Sequence, residues 1–130
     1  MGTESTLRIL IVDDFSTMRR VIRNLLSELG YKSMREAEDG AQAIATMEKH
    51  EVDFVVLDWN MPNTPGIEVL RWVRSHERYG QLPVLMVTAE ATREQIVEAA
   101  GLGVNAYILK PFTAATLKKK LDHIFSKASV

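Results

Sequence analysis

The apolar residues of this chain form two kinds of pattern, which alternate from one end to the other. Nearly continuous apolar runs predict buried strands, and apolar residues spaced three or four positions apart predict helices with one buried face. The predicted strands are Leu7–Val12, Lys32–Ala37, Asp53–Leu57, Leu82–Val87 and Ala106–Leu109. The predicted helices are Thr17–Leu29, Ala41–His50, Ile67–Ser75, Thr92–Ala100 and Thr113–Lys127.

Turn and cap residues separate these segments. Ser16 stands where it could cap the first helix, and Gly30 stands where that helix should end. The dipeptide Asp39-Gly40 is expected to be a turn, and Asn60–Gly66 is expected to be a loop. Lys32–Ala37 is the least apolar of the predicted strands, which favours a position near the edge of the sheet.

Strands that alternate with helices predict an α/β fold with a doubly wound parallel sheet. Right-handed crossovers and five strand–helix units favour the strand order 2-1-3-4-5, with five helices covering the two faces. No linker or internal repeat interrupts the chain, so residues 1–130 are expected to form a single domain. Residues 1–6 are polar and are expected to be disordered, without a secretory signal.

Acidic residues follow two of the buried strands. Asp13 and Asp14 follow Leu7–Val12, and Asp58 follows the apolar run Val52–Leu57. In the order 2-1-3-4-5 these strands are neighbours, so their three carboxylates should converge at one edge of the sheet. Unpaired carboxylates about 4 Å apart repel by roughly 4 kcal/mol at an effective dielectric near 20. The pattern therefore predicts one divalent cation, with Mg²⁺ as the hard cation that suits oxygen ligands, and Asp58 as a candidate nucleophile.

Composition narrows the classes of function. A net charge of −1 gives no electrostatic case for binding nucleic acid or membranes. The chain has no cysteine, which excludes disulfides, zinc–thiolate sites and cysteine nucleophiles. No apolar run approaches the length of about 20 residues that a membrane span needs. We therefore expect a cytoplasmic protein.

Four stretches of the sequence resemble the receiver domains of two-component response regulators, and most closely the single-domain receivers of chemotaxis. The stretches are Val12–Arg20 (VDDFSTMRR), Asp58–Pro62 (DWNMP), Pro83–Glu90 (PVLMVTAE) and Lys110–Leu117 (KPFTAATL). Each acid or lysine by itself is a weak signal, but their joint occurrence at successive strand ends is specific. The resemblance covers residues 7 to about 125 and implies the flavodoxin-like fold of that family.

The resemblance implies a role for each residue of the site. Asp58 would be the phosphoryl acceptor, and Thr88 and Lys110 would bind the phosphoryl group as a hydrogen-bond donor and a cation. Asp13, Asp14, Asp58 and the backbone carbonyl of Asn60 would be the protein ligands of Mg²⁺. The resemblance also implies a cis peptide bond between Lys110 and Pro111.

The resemblance further implies a switch and its partners. Phosphorylation would draw Thr88 toward the phosphoryl group, space would open for Tyr107 to swing inward from solvent, and a surface for partner proteins would change shape. The candidate residues of that surface are Tyr107, Ala91, Leu109, Phe112, Thr113 and Lys120. The implied partners are a sensor histidine kinase and the flagellar motor switch, with a phosphatase as a third candidate. The protein would be a monomeric switch that catalyses only its own phosphorylation and dephosphorylation, and in that sense not an enzyme.

Two positions depart from the pattern of the family. Pro65 stands where an acidic or amide residue usually precedes the glycine, and Thr64 is left as the candidate side-chain cap of the next helix. His123 stands where the chemotaxis receivers carry a lysine. These departures bear on the geometry of the loop after Asp58 and on partner affinity.

Two other functions remain open. A receiver in a phosphorelay, or one that acts as a phosphate sink, would pass its phosphate to a histidine phosphotransfer protein instead of acting on a motor. A phosphatase of the haloacid dehalogenase type would also use an aspartate nucleophile and Mg²⁺. That class needs a second acid two positions after the nucleophile, where this chain has Asn60.

Overall fold

The computed structural model of the protein describes residues 6–128. The expectation of disorder for residues 1–6 therefore falls, apart from Thr6, outside the described residues. The strands are β1 (Arg8–Val12), β2 (Ser33–Ala37), β3 (Phe54–Asp58), β4 (Val84–Thr88) and β5 (Ala106–Leu109). The helices are α1 (Ser16–Glu28), α2 (Gly40–Lys49), α3 (Gly66–Ser75), α4 (Arg93–Gly101) and α5 (Ala114–Ala128).

The strands form one parallel sheet in the order β2-β1-β3-β4-β5, which confirms the predicted topology. The polar strand β2 lies at an edge, as its composition predicted. In the centre, Val12 pairs with Leu57 of β3, so that the residues following β1 lie beside the end of β3. The order thus places the ends of β1 and β3 side by side.

Alternate residues of the strands pack into two hydrophobic layers. Ile9 and Ile11 face the layer that contains Ile22 and Leu26 of α1 and the buried face of α5. On the other side of the sheet, Leu10 and Val12 belong to the layer formed with buried residues of α2, α3 and α4. Burial on both faces explains why the central strands are apolar throughout, because neither face meets water.

Three predictions about helix starts were wrong in detail. Ser16 is the first residue of α1 and not its cap, and the N-cap residue, Phe15, makes no side-chain cap. Gly40 begins α2 instead of completing a turn, with the carboxylate of Asp39 capping the helix. Thr64 does not cap α3, because the N-cap position is occupied by Pro65.

Helix α4, in contrast, has a complete capping box. The hydroxyl of Thr92 accepts from the backbone N–H of Gln95, and the Gln95 side chain accepts from the backbone N–H of Thr92. This helix has a single buried residue, Ala99, so its start is stabilised locally rather than by a large buried face. In the described part of the chain, no helix combines the length and apolar character needed to cross a lipid bilayer.

Gly66 brings the start of α3 against the end of β3. A Cβ atom at this position would lie 2.7 Å from the carbonyl oxygen of Asp58 and 2.8 Å from Cα of Trp59. The backbone N–H of Gly66 donates to the carbonyl of Trp59 at 3.1 Å. Any larger residue must therefore displace the backbone that carries Asp58.

We expect Gly66→Ala to destabilise the protein by roughly 1–3 kcal/mol, the usual cost of overpacking a filled site. The matched control is Gly101→Ala in the last turn of α4, where a Cβ atom would meet nothing within 4 Å. Alanine there should be neutral or stabilise by about 0.5–1 kcal/mol, because it reduces the conformational freedom of the unfolded chain. Urea unfolding measures both variants, and equal free energies of unfolding would contradict the close approach.

Candidate functional site

Three carboxylates meet at the carboxyl edge of the sheet, as their positions after β1 and in β3 predicted. Asp13, Asp14 and Asp58 each offer one oxygen, and these oxygens lie within 4.8 Å of one another. Asp13 and Asp58 are 0% and 3% exposed, whereas Asp14 is open to solvent. Such a set of hard oxygen atoms could hold a metal ion, with Asp14 on the side from which the ion would enter.

Lys110 brings a positive charge to this cluster from the residue after β5. Its ammonium group lies 3.0 Å from Oδ2 of Asp13 and 3.5 Å from Oδ1 of Asp58. Its backbone N–H donates to the carbonyl of Thr88 at 2.8 Å, which ties the residue to the end of β4. The following peptide bond, Lys110-Pro111, is cis, as the family resemblance implied.

The charge of Asp58 is poorly compensated. Burial and the neighbouring carboxylate of Asp13 raise the pKa of Asp58 to about 6, against the opposing effect of Lys110. A backbone N–H from Asn60 donates to Oδ1 of Asp58 at 3.3 Å. Because one lysine faces two buried carboxylates, the site favours a further positive charge beside Asp58.

Thr88 is fully buried at the end of β4, beside the end of β3. Its hydroxyl accepts a hydrogen bond from the side-chain amide of Asn60 at 2.9 Å. It also lies 3.1 Å from the carbonyl and 3.2 Å from the backbone N–H of Glu90. The side chain of Asn60 is thus part of the site, although the sequence predicted a role only for its backbone carbonyl. The role of that carbonyl as a metal ligand stays a prediction.

Most of the predicted switch residues lie on one surface. A shallow groove of about 330 Å³ is lined by residues that include Tyr107, Leu109, Phe112, Thr113 and Lys120. Tyr107 is half-buried, and the ammonium of Lys120 lies 5.1 Å from the centre of its ring. Leu109 is 48% exposed, which is unusual for a strand residue of this size. Ala91 lies in the loop before α4 and is not among the residues that line the groove.

In the metal-free protein, we expect Asp58→Asn to stabilise the fold at neutral pH. The pKa of Asp58 is higher in the folded chain than its ordinary value, so folding loses stability as the pH rises from 3.8 through about 6. An amide removes this loss, which has a ceiling of about 3 kcal/mol above pH 7. Urea unfolding in EDTA should therefore show a difference that is small near pH 4 and grows toward pH 7.

Asp53→Asn is a control variant whose stability should change in the opposite direction. A hydrogen bond from Arg8 holds the pKa of Asp53 below its usual range, so the stability it contributes is present at neutral pH and lost in acid. This variant should be less stable than the parent at neutral pH. If both variants shifted stability in the same direction, the electrostatic account of Asp58 would be wrong.

Comparison with known sequences agrees with this geometry. The family model for the response regulator receiver domain matches residues 9–122. The chain is 60% identical over 121 residues to chemotaxis protein CheY-3 of Vibrio cholerae, covering 93% of each chain. It is 56% identical over 123 residues to chemotaxis protein CheY of Pseudomonas aeruginosa, covering 95% of this chain and 99% of that protein.

Solved structures agree as well. The structure of chemotaxis protein CheY4 of Vibrio cholerae has a TM-score of 0.85 and 33% identity, with 91% of this chain and 98% of that chain covered. A CheY-like receiver domain protein of Methanospirillum hungatei has a TM-score of 0.79 and 29% identity, with coverage of 93% and 98%. The matched region begins in β1 and ends in α5, and so contains every residue of the acidic cluster, Thr88 and Lys110. The chain therefore belongs to the response regulator receiver domain family, in which it is similar to the CheY proteins.

Proposed function

We propose that the protein is a chemotaxis response regulator that accepts a phosphoryl group on Asp58 in the presence of Mg²⁺. The observation that carries this proposal is the cluster of Asp13, Asp14 and Asp58 beside the ammonium of Lys110. The family and the chemotaxis proteins similar to this chain support it. The phosphoryl donor would be a sensor histidine kinase.

The transfer step would be an in-line displacement at phosphorus. An oxygen of Asp58 would form a bond to the phosphorus of a phosphohistidine while the P–N bond breaks, and the electron pair would return to the histidine ring. Asp13, Asp14, Asp58 and the carbonyl of Asn60 would hold Mg²⁺, which neutralises charge on the transferring group. Lys110 would provide a second positive charge for the phosphoryl oxygens, and hydrolysis by water would return Asp58 to a free carboxylate.

The response to phosphorylation would begin at Thr88. Phosphorylation adds about two negative charges, which favour hydrogen-bond donors. The hydroxyl of Thr88 would leave Asn60 and Glu90 and donate to the phosphoryl group. Thr88 pairs with Leu109 in the sheet, two residues from Tyr107, so space vacated by Thr88 would allow the tyrosine ring to move inward. The groove around Tyr107 would then change shape.

The partner of the phosphorylated form would be the flagellar motor switch, bound at the groove around Tyr107. A phosphatase would be a further partner, which ends the signal by hydrolysis. The protein would be a monomeric, cytoplasmic switch that turns over no substrate other than its own phosphoryl group. A phosphorelay receiver would share the chemistry at Asp58 but would not bind a motor protein.

Incubation with acetyl phosphate and Mg²⁺ should phosphorylate the parent protein and not the Asp58→Asn variant. Intact-protein mass spectrometry measures the added phosphoryl group. Asp53→Asn is the matched control, since it removes a carboxylate distant from the cluster, and it should be phosphorylated at the rate of the parent. Phosphorylation of Asp58→Asn at the parental rate would refute the assignment of the acceptor.

Replacing Tyr107 with phenylalanine should alter partner binding and leave phosphorylation unchanged, because its ring lies in the groove and outside the carboxylate cluster. The first measurement is the acetyl phosphate reaction. The second is binding of an N-terminal motor-switch peptide with and without beryllofluoride, a phosphoryl analogue. Loss of phosphorylation in the variant would contradict the switch role of Tyr107, and failure of the parent to bind the peptide would favour the phosphorelay function.

A further inference from the structure

The backbone of Asp13 lies just beyond the end of a strand ladder. Pairing of β1 with β2 ends at Val12 and Ala37, and the N–H of Asp13 makes one more bond, to the carbonyl of Ala37 at 3.1 Å. The sheet supplies no strand partner for the carbonyl of Asp13 itself, although this residue is 0% exposed. A buried carbonyl without a partner is costly, so its hydrogen bond has to come from elsewhere.

Arg19, in the first turns of α1, supplies that hydrogen bond. Its Nη1 donates to the carbonyl oxygen of Asp13 at 2.7 Å, and its Nε donates to Oε1 of Glu36 at 2.9 Å. The side chain is only 15% exposed. The guanidinium thus connects the residue after β1 to the edge strand β2 through two bonds of fixed relative direction.

Glu36 also accepts a hydrogen bond from a second arginine, Arg23. Nε of Arg23 donates to its other carboxylate oxygen at 2.9 Å, and Nη2 of Arg23 lies 3.4 Å from the carbonyl of Met34. Burial would raise the pKa of Glu36, but hydrogen bonds from Arg23 and Arg19 outweigh this effect and hold the pKa below its ordinary value. The carboxylate of Glu36, which binds Arg19, therefore stays ionised at neutral pH.

The two carboxylate oxygens of Asp13 also have hydrogen-bond partners. Oδ1 accepts from the backbone N–H of Phe15 at 2.9 Å, and Oδ2 accepts from Lys110 at 3.0 Å. The backbone carbonyl of Asp13, in contrast, is held by the side chain of Arg19 from helix α1. Rotation of the Asp13 backbone would move both carboxylate oxygens away from Asp14 and Asp58.

We propose that Arg19 is a positioning residue for divalent metal binding, because it holds the backbone of Asp13 so that its carboxylate faces Asp14 and Asp58. The inference rests on the proposed metal site. Arg19 would touch neither metal nor phosphate and would act through Asp13. Residues that orient a metal ligand through hydrogen bonds typically contribute 10- to 100-fold to metal affinity.

The sign of the effect separates positioning from simple electrostatics. Arg19 is a cation near a site for a cation, so removing its charge would by Coulomb's law strengthen the binding of Mg²⁺ or leave it unchanged. Loss of positioning weakens binding instead. The two accounts therefore predict opposite changes in the dissociation constant.

The experiment is a titration with Mg²⁺ followed by the fluorescence of Trp59, the residue after Asp58. We expect Arg19→Gln to raise the dissociation constant roughly 10-fold. The matched control is Arg20→Gln, which removes the neighbouring, exposed arginine and should leave the constant unchanged or slightly lower. Arg23→Gln tests the network, since Arg23 contacts Glu36 but not Asp13, and its effect should be smaller than that of Arg19→Gln.

A second substitution covers the case in which Arg19→Gln does not fold, as judged by circular dichroism. Arg19→Lys keeps the charge but cannot make both directed bonds, so its affinity for Mg²⁺ should lie between those of the parent and the glutamine variant. Folded Arg19→Gln or Arg19→Lys protein that binds Mg²⁺ as tightly as the parent would overturn the inference. If the parent itself bound no Mg²⁺, the proposed metal site would fail and this inference with it.

Discussion

Repulsion between two buried carboxylates is the constraint around which this site is organised. Asp13 and Asp58 are almost completely shielded from water at the ends of adjacent strands, and one lysine lies between them. Charges in such a place are stabilised only by nearby opposite charge and by hydrogen bonds. Burial and the charge of Asp13 outweigh the effect of Lys110, so the pKa of Asp58 is raised. Such a cluster could hold a cation, whose charge would offset the repulsion between the carboxylates.

The rest of the fold keeps these carboxylates from relaxing apart. Parallel strands end together at one edge, so the backbone of the sheet sets the spacing between Asp13 and Asp58. Gly66 allows α3 to begin against the end of β3, and Lys110 is tied to the end of β4. Arg19, in α1, connects Asp13 to Glu36 of β2. Each of these contacts limits a movement that would otherwise reduce the repulsion.

The same strand ends connect the acidic cluster to the candidate partner surface. Thr88 ends β4 beside the cluster, and its neighbour in β5 is Leu109, at the edge of the groove that contains Tyr107. A change in hydrogen bonding at Thr88 therefore has a short path to the surface.

The order of the elements, the strand topology and the convergence of Asp13, Asp14 and Asp58 were already determined by the sequence, because apolar periodicity and strand-end acids are local patterns that a parallel sheet can satisfy in few ways. The starts of α1 and α2, the side-chain bond from Asn60 to Thr88 and the link from Arg19 to Asp13 were decided by the tertiary structure. Caps depend on the backbone angles of one turn: the extended backbone of Phe15 makes it the N-cap residue of α1, so Ser16 is the first helical residue and not the cap. Contacts between residues far apart in the chain depend on how helices settle on the sheet, and no spacing of residues along one segment specifies them.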